Sequence, residues 1–141
     1  DMRGAILTGA DTTEANLTGA NLNWAILTGV DMTEARLWGV NLAGVDLSHA
    51  ILYKAYLTEA NLTGADTAEV NLTGASLNWA NMTGADLTGA NLTGANLFQA
   101  NLSTTNLSSA HLTGANLDGA NLDGVIGADF TGALNVPARY R

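Results

Sequence analysis

Residues 80–94 read Ala80-Asn81-Met82-Thr83-Gly84-Ala85-Asp86-Leu87-Thr88-Gly89-Ala90-Asn91-Leu92-Thr93-Gly94, three passes through one five-residue unit. The unit is A(N/D)LTG, and it runs on in both directions without insertion for about 120 residues. Every fifth residue from Met2 to Leu122 makes 25 slots, of which twenty are leucine, three methionine (Met2, Met32, Met82) and two threonine (Thr12, Thr67). Two residues before each stands a small side chain such as Ala15, Ala20, Ala65 or Val45, with Thr105 as the one polar member. The slot before leucine is mostly Asn or Asp, and the two after it favour Thr and Gly.

A five-residue period suits neither regular element. At about 100° per residue the leucines would spiral around an α-helix, and in a flat strand an odd period throws them onto alternate faces. The pattern is consistent if each pentapeptide makes one short extended side and one turn, so that every leucine points into the same interior. Four sides close a square coil of 20 residues, stacked at about 4.8 Å. At that register Asn21, Asn41, Asn61, Asn81, Asn101 and Asn121 fall in one column, where stacked amides can hydrogen-bond from coil to coil.

With this unit the chain resembles the pentapeptide-repeat family, defined by tandem A(D/N)LXX, from residue 1 to about residue 134. The resemblance implies an all-β fold, a right-handed quadrilateral parallel β-helix with four pentapeptides per coil. Leu17, Leu22, Leu27, Leu37, Leu42, Leu62 and Leu92 are then expected in the core, with Ala15, Ala20 and Ala65 as its small inward residues. Six coils make a rod about 30 Å long. Twenty buried leucines at roughly 1.5–3 kcal/mol each do not offset backbone ordering at about 1–2 kcal/mol per residue, so coil-on-coil stacking must supply the rest.

The register slips at Val125-Ile126-Gly127 and the motif resumes as Ala128-Asp129-Phe130-Thr131-Gly132, with the larger Phe130 suited to closing the end of the core. Residues 1–134 are thus read as the repeat domain and 135–141 as a short C-terminal cap or tail, where Pro137 suits the start of a short helix. No matching N-terminal cap is visible at Asp1 to Gly4. A monomer or a weak end-to-end oligomer is expected.

The 141 residues carry a net charge of −8, with 47% hydrophobic but only 6% aromatic residues and no cysteine. No disulfide, thiolate nucleophile or cysteine metal cluster is available. No apolar run approaches the roughly 20 residues a membrane helix needs, so no membrane insertion is expected. Five basic residues against thirteen acidic ones leave no positive footprint for direct nucleic-acid binding. His49 and His111 are the only histidines, and both fall in outward slots without a nucleophile or nucleotide-binding motif nearby. The 20-residue register puts Glu69 one coil above His49. The chain is therefore read as non-enzymatic, with no catalytic residue, cofactor or metal.

Two exterior features are left as candidate partner surfaces. Asp46, Asp66 and Asp86 stack about 5 Å apart, as do Asp11 with Asp31 and Glu14 with Glu34, and like charges so close are expected to raise some carboxylate pKa values. Such columns serve a basic partner or a mimic of nucleic acid, whereas a straight column offers few convergent ligands for Ca²⁺. The other feature is a scatter of large side chains, Trp24, Trp38 and Tyr56 among them, with Arg36 beside Tyr56 in reach of a cation–π contact. Such groups mark partner surfaces where they cluster, here mainly in residues 6–56.

Function is accordingly expected to be a rigid scaffold or spacer for an unidentified protein partner. The alternative is an acidic DNA-mimicking rod that binds a DNA-binding protein such as DNA gyrase, as the resemblance allows. It also implies a periplasmic or thylakoid-lumen address, with the cytoplasm as the alternative.

Overall fold

Each pentapeptide in the computed structural model, which describes residues 1–141, forms one short extended side and one turn. The unit Ala90 to Gly94 shows how its backbone is satisfied. The Asn91 N–H donates to the Val70 carbonyl one coil back, and the Leu92 and Gly94 N–H groups donate to the His111 and Thr113 carbonyls one coil forward, all at 2.9 Å. The Ala90 N–H closes the preceding turn on the Leu87 carbonyl at 3.0 Å. The fifth donor, the Thr93 N–H, is taken by Oδ1 of Asn91 at 3.1 Å. An Asn or Asp before leucine is therefore a turn acceptor for the N–H two residues on, which satisfies the one donor left over by the coil-to-coil bonds and the backbone turn bond.

Successive coils pair in parallel at a separation of 20 residues, Ile6 with Ile26, Asn21 with Asn41, Arg36 with Tyr56 and Asp46 with Asp66. Four sides follow one another around each coil. The first carries the Asn21 to Asn121 column, the second Asp46, Asp66 and Asp86, the third Asp11, Asp31 and Ile51, and the fourth Asn16, Arg36 and Tyr56. The fold is a parallel β-helix with four pentapeptides to the coil. At the corners the backbone turns left-handed. Glycine is the usual occupant, but Glu14, Trp24, Glu34, His49, Lys54 and Trp79 hold φ between 53° and 59° there, a conformation costing an L-residue roughly 1–2 kcal/mol.

The leucine and alanine slots merge into one cluster of 40 buried residues. Leu22, Leu27, Leu37, Leu42 and Leu92 are fully buried, and Leu62 and Ala65 nearly so. Leu17 and Ala20 pack against this cluster but are only partly buried, and Ala15 is partly buried in the same coil. The polar intruders find acceptors in the backbone. The hydroxyl of Thr12 donates to the Asp31 carbonyl at 3.0 Å, that of Thr67 to the Asp86 carbonyl at 2.6 Å, and that of Thr105 to the Met82 carbonyl at 3.0 Å. The Asp86 carbonyl also accepts the Thr67 N–H at 2.9 Å. Thr67→Val strands no acceptor, and its melting temperature should correspond to a stability change under about 1 kcal/mol.

At the far end a three-residue side replaces a five-residue one. Ile126 still pairs with Asn106 at 20 residues, but Leu134 pairs with Asn116 at 18. Phe130 lies partly buried against the core and Val136 is buried beside it. After Pro137 the chain makes a 3₁₀ turn, Ala138–Tyr140. Its Tyr140 hydroxyl accepts from the Leu122 N–H at 3.1 Å and donates to Asp123 Oδ1 at 2.7 Å, tying the tail to the last coil.

Candidate functional site

The interior offers no room for a ligand, so any site lies on the outside of the coil. The asparagine column on the first side is partly zipped. Nδ2 of Asn41, Asn61 and Asn121 donates to Oδ1 of the asparagine one coil back at 3.4, 3.2 and 3.2 Å, while the steps through Asn81 lack this bond. Every member instead turns its Oδ1 to the N–H two residues on, from Asn23 at 3.2 Å to Asp123 at 3.1 Å. The column is chiefly an array of turn acceptors.

On the second side Asp46, Asp66 and Asp86 stack in consecutive coils. The expected upward pKa shift from like-charge stacking is replaced by a downward one where a shift is visible. Asp46 lies below the ordinary carboxylate range because the Ser48 hydroxyl donates to it at 2.6 Å, with further help from the Ser48 N–H and the Thr28 hydroxyl against the opposing effect of burial. Asp11 is lowered in the same way by the Thr13 hydroxyl and N–H. Hydrogen bonds to the charged form set the direction, and the effect opposing them is burial. A carboxyl whose pKa is lower folded than unfolded stabilises the fold above the unfolded value and loses that contribution as pH falls through the folded one. Ser48→Ala should therefore lower the melting temperature near pH 7 and shrink the fall seen on acidification to about pH 2; an unchanged acid response would contradict the role of this hydroxyl.

His49, at the corner after this side, faces Glu69 with Nδ1 and Oε2 3.3 Å apart, an exposed pair as the register anticipates. No three His, Asp or Glu side chains converge as a metal site would require.

The fourth side, opposite the acidic column, gathers three of the residues singled out by their size and charge. Arg36, Trp38 and Tyr56 join Thr18 and the corner residues Glu14 and Glu34 around an open cleft of about 430 Å³. Trp38 and Tyr56 are each about half exposed, at 52% and 53%. Arg36 and Tyr56 are neighbours in the ladder, but the anticipated cation–π contact between them is absent. The cationic groups that do lie over rings are Lys54 on Tyr53, 5.0 Å from the centroid, and Arg139 on Tyr140, at 4.6 Å. Trp24 stands apart at the corner between the first and second sides, its ring lying across Gly44.

Two features meet in this cleft. None of Glu14, Glu34 or Arg36 is in an ion pair, since the three pairs in the molecule are Arg3 with Asp1, His49 with Glu69 and Arg139 with Asp123. Arg36 and Tyr56 also occupy the turn-acceptor slot, so the backbone N–H groups of Trp38 and Thr58 lack the side-chain acceptor that Asn or Asp gives elsewhere. Local turn chemistry is given up here for side chains that face outward.

Further along the same side the sequence reading missed an aromatic pair. Trp79 and Phe98 meet edge to face with centroids 5.4 Å apart, and the Trp79 indole N–H donates to Gln99 Oε1 at 2.9 Å. The diagonal separation of 19 residues was the available signal. A second open cleft, of about 500 Å³, lies at the C-terminal cap between Phe130, Val136, Tyr140 and Arg141.

No helix is long and apolar enough to cross a membrane. The family model for pentapeptide repeats matches in eight copies, over residues 1–33, 31–66, 50–89, 90–126 and 100–134. No curated protein matches the chain. Among solved structures, HetL, a pentapeptide repeat protein involved in heterocyst differentiation regulation from the cyanobacterium Nostoc sp. strain PCC 7120, is 32% identical. That match covers 94% of this chain and 80% of HetL, with a TM-score of 0.51. A pentapeptide repeat protein from the thylakoid lumen of Arabidopsis thaliana is 34% identical over 74% of this chain and 73% of its own, with a TM-score of 0.68. QnrB1, a plasmid-mediated fluoroquinolone resistance protein, is 22% identical over 92% of this chain and 67% of its own, at a TM-score of 0.69, a likeness of fold alone. The chain belongs to the pentapeptide-repeat family.

Proposed function

We propose that this chain is a non-enzymatic scaffold that holds a protein partner on the outside of a rigid coil, chiefly through its fourth side. The observation that carries this reading is the cleft beside Trp38 and Tyr56, where half-exposed aromatic rings and unpaired charges share one surface while the interior is filled. Exposed aromatic groups with a neighbouring arginine are the side chains that dominate binding energy at protein interfaces. An exported location, periplasm or thylakoid lumen, fits the lumenal relative at 34% identity.

A second reading rests on the second side, where the Asp46, Asp66 and Asp86 column forms a regular negative strip suited to a basic, DNA-binding partner such as gyrase. Affinity capture from an extract of the source organism separates the two. The scaffold reading expects proteins retained by the native chain to be lost from a Trp38→Ala, Tyr56→Ala variant and kept by an Asp46→Asn, Asp66→Asn, Asp86→Asn variant. The opposite pattern with loss at high salt would favour the acidic strip, and retention indifferent to both variants would contradict the two readings together.

A further inference from the structure

We propose that the cleft on the fourth side is a docking site for an extended segment of a protein partner that presents a lysine or arginine beside an acidic residue. This inference rests on the scaffold reading and names the chemistry of the partner. Glu14 and Glu34 stack in consecutive coils at the corner, with φ of 56° and 55°, and both line the cleft without a cationic partner. Their separation is one coil, about 4.8 Å of backbone, so a single ammonium or guanidinium placed between them meets both carboxylates. Trp38 and Tyr56 offer the aromatic faces over which such a cation is further held.

Arg36 supplies the opposite charge. It lies two residues beyond Glu34 and lines the same cleft, yet the two are not bridged. A cleft lined by two carboxylates and a free guanidinium is complementary to a dipolar occupant. In an extended segment, residues two apart share a face roughly 7 Å apart, so a basic-x-acidic segment presents both charges to the one cleft, in either chain direction. The field of the whole molecule favours the basic half of that pattern, since Arg36 and Lys54 are the only cationic side chains between Arg3 and Arg139 against a net charge of −8.

Positions 36 and 56 also forgo the turn acceptor, as Ile6 and Ile26 do in consecutive coils of the second side. Consecutive coils on one side replace Asn or Asp with the two side chains that shape the cleft, and the backbone gains nothing from the exchange.

The test is a titration of the ¹⁵N-labelled chain with the peptide acetyl-Gly-Thr-Lys-Thr-Glu-Thr-Gly-amide, read at the indole N–H signals. Trp38 reports the cleft, and Trp24 and Trp79 serve as internal references. Controls carry Gln-x-Gln, Lys-x-Lys or Glu-x-Glu in place of Lys-x-Glu. The Trp38 signal is expected to shift with a Kd on the order of 1 mM, the scale of a few exposed ion pairs and one cation–π contact. The Lys-x-Lys peptide should bind several-fold more weakly and the other two not measurably. Glu14→Gln, Glu34→Gln should abolish the response while leaving the melting temperature within a few degrees, because both side chains are exposed.

An equal response to the Gln-x-Gln peptide, a stronger one to Glu-x-Glu, or a silent Trp38 at about ten times the expected Kd would each overturn the proposal. So would a Trp38 shift driven by cellotetraose in place of the peptides, which would make this a saccharide platform. If the peptides fail while extract capture still depends on Trp38 and Tyr56, the scaffold reading stands and only the assigned partner chemistry falls.

Discussion

Ala65→Phe is expected to cost at least about 3 kcal/mol, because it inserts a ring into a small slot of a filled interior. Ala65 is 1% exposed, and Leu62 before it in sequence and Ala85 one coil on are nearly fully buried. Its N–H closes the turn on the Leu62 carbonyl at 3.0 Å, and its carbonyl accepts the Asp86 N–H from the next coil at 2.9 Å. The backbone there cannot withdraw to make room without opening hydrogen bonds on both sides. In a solenoid each coil stabilises only its neighbours, so the damage is also expected to divide the cooperative unit. Thermal melts should show the midpoint falling by more than about 10 °C, with a broader or biphasic transition. A single transition at the native temperature would mean that this slot faces outward.

Gly127→Val is expected to have the second largest effect and to act on one end only. Gly127 holds φ at 66°, which a β-branched residue adopts only with strain. A side chain there would also meet Ser108, whose Cα lies 2.9 Å from the position a Cβ would take. Both penalties fall on the three-residue side that shortens the last coil. The contacts at risk are the Leu117 N–H to the Leu134 carbonyl at 2.9 Å and the Tyr140 hydroxyl to Asp123 at 2.7 Å. Hydrogen exchange should show protection lost for Gly114, Leu117 and Leu134 by a factor of about 100, or roughly 3 kcal/mol, with Leu62 and Leu92 unchanged. Equal loss along the whole rod would contradict the nearest-neighbour account of its stability.

The coil was legible in the sequence because its spacing admits few alternatives. A strict five-residue period over 25 slots excludes helix and flat strand, and the 20-residue register then places Arg36 beside Tyr56 and His49 near Glu69, as the structure has them. What escaped was chemistry that acts across the turn. The role of Asn and Asp as acceptors for the N–H two residues on is local, so column arithmetic pointed to stacking instead. The same omission reversed the sign of the Asp46 shift, which the Ser48 hydroxyl at 2.6 Å lowers against the effect of burial. Nor did the sequence show that Trp38, Arg36 and Tyr56 share a cleft with Glu14 and Glu34, whereas Trp24 and the aspartates lie elsewhere. Residues on a corner and on the side that follows meet only once the turn angle is known.

The central claim is that the fourth side is where this protein meets its partner, and site-specific photo-crosslinking tests it most directly. Benzoylphenylalanine placed at Thr58, one coil above Trp38, should give a discrete crosslinked protein in extract of the source organism. The same group at Thr83, on the first side, should give none. Crosslinks of equal yield from both positions, or from Thr83 alone, would contradict the account.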